Sequence, residues 1–154
     1  MDVFIMRHGE ASFNADSDIN RELTLRGREE VLRSVKALAN QSCPINAIYS
    51  SPYLRAKQTA EIAKTELGLS INIQPRLTPD YNPSKVTDWL YTLSESHHSV
   101  LITAHMPLVG KLISLMVDGD LLHSINFSTA MVVHLHAENP FDGCFTLKAV
   151  LPSA

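Results

Sequence analysis

Arg7-His8-Gly9 follows directly on the apolar run Val3-Phe4-Ile5-Met6, so a cation and a titratable ring stand where a buried strand should end. Two later junctions share this character: Arg55 falls in the first turn after Ser51-Pro52, and His105 lies between the run Ser99 to Thr103 and Pro107. Arginine presents a planar fork of donors matched to two phosphate oxygens, and a helix amino terminus adds backbone N–H groups and partial positive charge. Histidine can attack phosphorus and carry the phosphoryl group covalently, provided one ring nitrogen is unprotonated and the other is held by an acceptor. Two arginines, two histidines and two helix starts describe a dianion pocket. Each residue alone has a plainer reading, a satisfied polar histidine or a solvated helix arginine. Their joint placement at three strand ends carries the inference.

These residues are positioned by short apolar runs alternating with segments of helical period. Strand one is Val3 to Met6. Thr24 caps a helix with apolar positions Val31, Val35, Leu38 and Ala39, ending near Asn40. Asn46 to Tyr49 is a second strand, after which Ser50-Ser51-Pro52 supplies a cap and a first-turn proline for a helix closed by Gly68. Ile71 to Ile73 is a short third strand, Asn82-Pro83 opens a helix with Val86, Trp89, Leu90 and Leu93 on one face, and Ser99 to Thr103 is a fourth strand. A buried helix from Pro107 to Val117 stops at Gly119, and Ala130 to His136 and Phe145 to Val150 form a hairpin across the turn-rich residues 138–143. The pattern predicts an α/β fold: a single three-layer α/β/α domain over residues 1–154, with a mainly parallel sheet and an antiparallel C-terminal edge. In such a sheet the carboxyl ends of parallel strands share one edge, where ligands bind.

The 154 residues suffice for one continuous core, and 45% apolar with 19% charged residues is a globular composition. A formal charge of −3 gives no reason to expect nucleic acid or an anionic membrane, so any phosphate must be met by a local cation cluster. Cys43 and Cys144 lack both CxxC spacing and a multi-pair framework, and are expected to be buried free thiols. The first apolar run is too short for a signal peptide, and Val100 to Val117 is interrupted by His105, Pro107, Gly110 and Lys111, so the expectation is a cytoplasmic protein without a membrane anchor. Nothing demands more than a monomer. His134 and His136 share a strand face and His97-His98 form a second pair, but no carboxylate or cysteine stands at ligand spacing, so no metal site is expected. Alternate histidines fit the wet face of an edge strand, and Leu121-Leu122 fits packing.

RHG after strand one, LTLRG at Leu23 to Gly27, SSPYLRAKQT at Ser50 to Thr59, and SVLITAHMPLVG at Ser99 to Gly110 resemble, in order, the motifs of the histidine phosphatase superfamily. The compact chain, the opening VFIMRHG and HMPLVG after strand four are most similar to its small bacterial branch, the SixA-type phosphohistidine phosphatases. The resemblance implies a phosphoglycerate-mutase-like fold, His8 as the residue that becomes phosphorylated, and Arg7, Arg55 and His105 as the rest of the phosphate pocket. Asn14 falls where larger members place an asparagine near the phosphate, and Glu10 sits close by without an assigned role.

Members of that superfamily acting on phosphate esters usually carry an acid past strand three to protonate the departing alkoxide. Here Thr78 occupies that position in Arg76-Leu77-Thr78-Pro79-Asp80, with Asp80 displaced, and the sequence leaves open whether Asp80 or Glu10 substitutes. Phosphohistidine needs less help, because its imidazole can be protonated on the nitrogen remote from phosphorus before the P–N bond breaks. The chain also lacks long lid insertions, consistent with admitting a histidine carried by another protein. The expected enzyme is a protein histidine phosphatase needing no cofactor or metal, because arginines supply the charge. Its implied partner is a histidine phosphotransfer domain of a two-component system or a phosphotransferase-system protein. The alternatives are a general small-molecule phosphomonoesterase of the same superfamily and a noncatalytic phosphate-binding module; mutase chemistry is not expected, because so short a chain has little material to retain a small product for reorientation.

Overall fold

The structure, a computed structural model, describes residues 1–152. Its centre is a six-stranded sheet in the order β3-β2-β4-β1-β5-β6, formed by β1 (Asp2–Arg7), β2 (Ala47–Ser50), β3 (Ile71–Ile73), β4 (Ser99–Ala104), β5 (Val132–His136) and β6 (Thr146–Leu151). The first four strands pair in parallel, while β5 runs antiparallel to β1, and β6 to β5. The central strands β1 and β4 are apolar almost throughout because both of their faces are covered.

Alternation along the strands divides the core. Phe4, Met6, Ile48, Leu101 and Val132 meet α1 (Leu25–Asn40) and α2 (Leu54–Leu67) through Val31, Val35, Leu38, Ala60 and Ala63. Val3, Ile5, Val100, Ile102 and Val133 meet α3 (Pro83–Thr92) and α4 (Leu108–Asp118) through Val86, Leu90, Leu108, Leu112 and Met116 on the other side. Three layers result, as expected.

Local signals place most element ends. The Thr24 hydroxyl accepts the Gly27 N–H at 2.9 Å, Asn82 accepts the Ser84 N–H at 3.0 Å, and Gly68 and Gly119 close α2 and α4 in the left-handed conformation, at φ 69° and 80°. The cap expected at Ser51 is displaced: α2 starts at Leu54, and Ser51 Oγ instead accepts the Tyr53 N–H at 3.2 Å in the turn before it. Ala39 is exposed, because the buried stripe of α1 is Val31, Ser34, Val35 and Leu38. Leu121 and Leu122 are exposed rather than packed. Cys43 is half-buried and Cys144 exposed, not two core thiols, since both lie in loops. The strand carrying His134 and His136 is not the sheet edge either: β5 lies between β1 and β6, and both histidines are half-buried. No helix among the described residues is long and apolar enough to cross a membrane.

Candidate active site

The chain leaves β1 for α1 on one face of the sheet and leaves the adjacent β4 for α4 on the other. The two connections diverge at the carboxyl edge, and ligands of open α/β folds bind at such a switch point. His8 follows β1 there and His105 follows β4, with ring centroids 5.2 Å apart. Both are buried, at 6% and 1% exposure, together with Arg55 at 4%.

The His8 backbone is fixed from two sides. Its N–H donates to the Ala104 carbonyl, and its own carbonyl accepts from the Ala130 N–H, both at 3.0 Å. The Gly9 N–H donates to Thr59 Oγ1 at 3.1 Å, and that hydroxyl donates to the Arg55 carbonyl at 2.8 Å, tying the loop to α2. Gly9 and Gly27 are required by close approach: a Cβ on Gly27 would stand 2.1 Å from the Glu10 carbonyl oxygen, and one on Gly9 2.6 Å from that of Gly27. The final glycine of LTLRG is therefore where the amino-terminal turn of α1 touches the RHG loop.

His8 Nδ1 lies 2.6 Å from the Gly9 carbonyl oxygen. A carbonyl only accepts, so Nδ1 carries the proton and Nε2 the lone pair. Arg55 Nε–H donates to that lone pair at 3.3 Å. Burial, with the positive charges of Arg55, Arg7 and Arg21, lowers the His8 pKa from 6.5 to about 4 against the opposing Gly9 bond. The ring is neutral at pH 7. His105 is lowered further, to about 2, by burial and then by His8 and the same arginines.

Ser51 orients the His105 ring. Its oxygen accepts the Tyr53 N–H at 3.2 Å and lies 2.7 Å from His105 Nε2, a bond that fixes the direction of the ring. His105 Nδ1 and Arg7 Nε are buried without a hydrogen-bond partner, while Arg7 Nη1 donates to the Phe127 carbonyl at 2.7 Å. Among the described residues the Arg7 Nε–H is thus a buried donor without a partner in a cation-rich cluster, beside an unpartnered His105 ring nitrogen, an arrangement that suits an anion. Arg55 is more occupied than its sequence position implies. Its Nη1 donates to the Asp18 carbonyl at 2.7 Å and its Nη2 faces Asp18 Oδ2 at 3.3 Å.

Arg7, His8, Arg55 and His105 are thus brought together. Asn14 is not among them: it is exposed, and its N–H donates to Ser12 Oγ at 3.0 Å. The Glu10 carboxylate is engaged by the Thr24 hydroxyl at 3.0 Å and lies 3.8 Å from Arg26 Nε, at the start of α1. Asp80 is exposed and bonds to none of the four. Sequence reading missed Arg21, which is anchored by the Ser12 and Ala11 carbonyls and Asp18 and adds positive charge to both histidines. It also missed Ser51 and Thr59 as supports and Asp18 as the partner of Arg55. Ser51 and Thr59 lie within the SSPYLRAKQT segment, which was the only available signal for them, while Asp18 and Arg21 lie in the loop before LTLRG, where no spacing marks them.

A parallel-centred α/β sheet with a neutral, arginine-ringed histidine pair at its carboxyl edge defines a class of phosphoryl-handling proteins. The chain belongs to the histidine phosphatase superfamily, whose branch 1 profile matches residues 3–79. The phosphohistidine phosphatase SixA of Escherichia coli strain K12 is 36% identical over 94% of this chain and 91% of its own length. A SixA homolog from Haemophilus influenzae is likewise 36% identical, over 74% of this chain and 76% of its own. The solved structure of the protein histidine phosphatase SixA complexed with tungstate superposes with a TM-score of 0.89 at 35% identity, covering 97% of this chain and 96% of that one. A mycobacterial glucosyl-3-phosphoglycerate phosphatase shares the fold at a TM-score of 0.78 and 16% identity, covering 96% of this chain and 97% of that one. The phosphoglycerate-mutase-like fold and the hydrolase class follow.

Proposed function

We propose that the protein is a phosphohistidine phosphatase that removes phosphate from a phosphohistidine on a signalling or phosphotransfer protein, through a covalent phospho-His8 intermediate. The observation that carries the reading is the tautomer of His8: Nδ1–H is held by the Gly9 carbonyl, and Nε2 offers a lone pair at pH 7. Nε2 attacks phosphorus in line, and the P–N bond to the substrate imidazole breaks, that ring leaving neutral once protonated on its remote nitrogen. Water then attacks phospho-His8 and releases inorganic phosphate.

Before attack the phosphoryl group must take the place of the Arg55 Nε–H bond on Nε2, which frees that N–H for a phosphoryl oxygen. Arg7 Nε and His105 Nδ1 are the other donors assigned to the transferring oxygens, with Arg21 supplying a third cation nearby. These guanidinium groups provide the charge that a magnesium ion provides in other phosphoryl-transfer enzymes, so the proposed chemistry needs no metal. Asn14 is assigned to the outer part of the substrate path. Asp80 is assigned no acid role, in keeping with its exposure and a phosphoramidate substrate. A partner carrying its phosphohistidine on a projecting side chain fits, as on a histidine phosphotransfer domain or a phosphotransferase-system protein. The relatives named phosphohistidine phosphatase support this substrate class, and the proposed working form is a cytoplasmic monomer.

The test is phosphate release by the purified protein, in chelator, from a phosphohistidine-bearing phosphotransfer domain and from an aryl phosphate ester, beside His8→Ala. Fast turnover of the protein substrate, lost in His8→Ala and weak on the ester, is expected. Equal or faster ester hydrolysis would move the assignment to a general phosphomonoesterase, and turnover of neither to a phosphate-binding module.

A further inference from the structure

We propose that the opposite end of the sheet carries a second site, which binds a divalent cation of the zinc class through Asp2, Cys43 and His134. A carboxylate oxygen, the thiol sulfur and an imidazole nitrogen from these residues all lie within 4.8 Å of one another. They come from the start of β1, the α1–β2 loop and β5, which the register Asp2↔His136 and Phe4↔His134 brings side by side. Six residues of extended chain separate Asp2 from His8, about 20 Å, so the two sites are independent.

The donor set selects the cation. One sulfur, one nitrogen and one oxygen suit zinc or a similar transition metal, whereas magnesium and calcium take oxygen shells. Tetrahedral zinc holds such ligand atoms about 3.3–3.7 Å apart. His134 Nε2 is 2.7 Å from Asp2 Oδ1, so this pair opens by somewhat less than about one ångström, and the thiol, within 4.8 Å of both, closes in by at most about 1.3 Å. Three protein ligands leave the fourth position for water. The carboxylate and the thiolate together balance a double positive charge.

Supports for the ligands are already present. The His134 ring stacks on Phe4 with centroids 4.1 Å apart and planes at 14°, fixing its direction. Asp2 Oδ1 also faces His136 Nδ1 at 3.1 Å, and His136 Nε2 faces Glu138 Oε1 at 3.3 Å, making His136 a positioning residue that holds the carboxylate. Cys43 Sγ is 3.8 Å from Ser99 Oγ. The thiol also lies 4.0 Å from the Pro44 carbonyl oxygen, and both of its contacts are long ones that it can give up to a cation. On binding, the Cys43 S–H proton and the proton that His134 Nε2 directs at Asp2 both go to solvent.

The test is titration of the chelator-treated full-length protein with Co²⁺, followed by the near-ultraviolet thiolate-to-cobalt absorption band, and then displacement by Zn²⁺. One equivalent should bind, with the band retained in Cys144→Ser, lost in Cys43→Ser, and requiring at least about tenfold more metal in His134→Gln and His136→Gln. Zinc at about a hundred times its Kd should raise the thermal midpoint by about 5–10 °C in the wild type and not in Cys43→Ser. Metal-free Cys43→Ser melting with the wild type would establish that the variant folds. No band in the wild type, or a band that survives Cys43→Ser and disappears in Cys144→Ser, overturns the proposal.

Discussion

The two ends of β1 place histidine pairs in opposite surroundings. At the carboxyl end His8 and His105 face arginines and a carbonyl, and burial with like charge strips their protons well below neutral pH. At the amino end His134 and His136 face Asp2 and Glu138. There the carboxylate itself responds: burial would raise the Asp2 pKa, but hydrogen bonds and charge from the two histidines outweigh it and the net shift is down. The same side chain is prepared for an anion at one end and for a cation at the other. What differs is the sign of the charges that the neighbouring loops contribute.

The sharpest way to separate the ends is to remove the proposed nucleophile. His8→Ala should lower kcat/KM for phosphohistidine by about 10⁴-fold or more while leaving cobalt binding intact, read from phosphate release and the charge-transfer band. Arg55→Ala should cost about 10²–10³ in kcat through the lost donor on the transferring oxygens. A loss confined to KM would reassign Arg55 to binding alone.

Acid should act on the carboxyl end through stability. Both histidines have folded pKa values below the unfolded 6.5, so the unfolded chain binds the extra protons. Their contribution is fully present above pH 6.5 and is lost as pH falls toward about 4 for His8. For His8 this amounts to on the order of 3 kcal/mol. The thermal midpoint should therefore drop between pH 6.5 and 4, and His8→Asn should flatten the profile; an unchanged slope in that variant would show that other groups govern the acid limit. A smaller effect is expected from Ser51→Ala, which frees the His105 ring to rotate, at about tenfold in kcat measured by steady-state kinetics. Smallest of all, Cys43→Ser should change phosphatase kcat/KM by less than about twofold, since about 20 Å of buried strand lies between; a larger loss would falsify the independence of the two ends.

What sequence could disclose followed the range of the interactions. Thr24, Asn82, Gly68 and Gly119 act on backbone groups within a few residues, and their signals were readable. The three strand ends with Arg7-His8, Arg55 and His105 were readable too, because the topology of a parallel sheet brings such ends together. Ser51 misled because one hydroxyl can cap a helix or hold a histidine 54 residues away, and only packing decides. Arg21 and Asp18 sit in a loop without periodicity, so nothing in their spacing announced that they flank His8 and Arg55. The Asp2–His134 contact spans 132 residues and depends on the β1–β5 register, which alternation alone leaves undetermined.

The backbone of His8 is gripped by Ala104 on one side and Ala130 on the other, and Ala130 holds its grip from a positive φ of 63° that alanine rarely adopts. A residue pinned in this way does little searching. In the proposed reaction, mobility in the encounter falls to the incoming phosphoryl carrier, whose side chain must explore while the acceptor waits in place, and the entropy of alignment on this side of the reaction is settled when the chain folds.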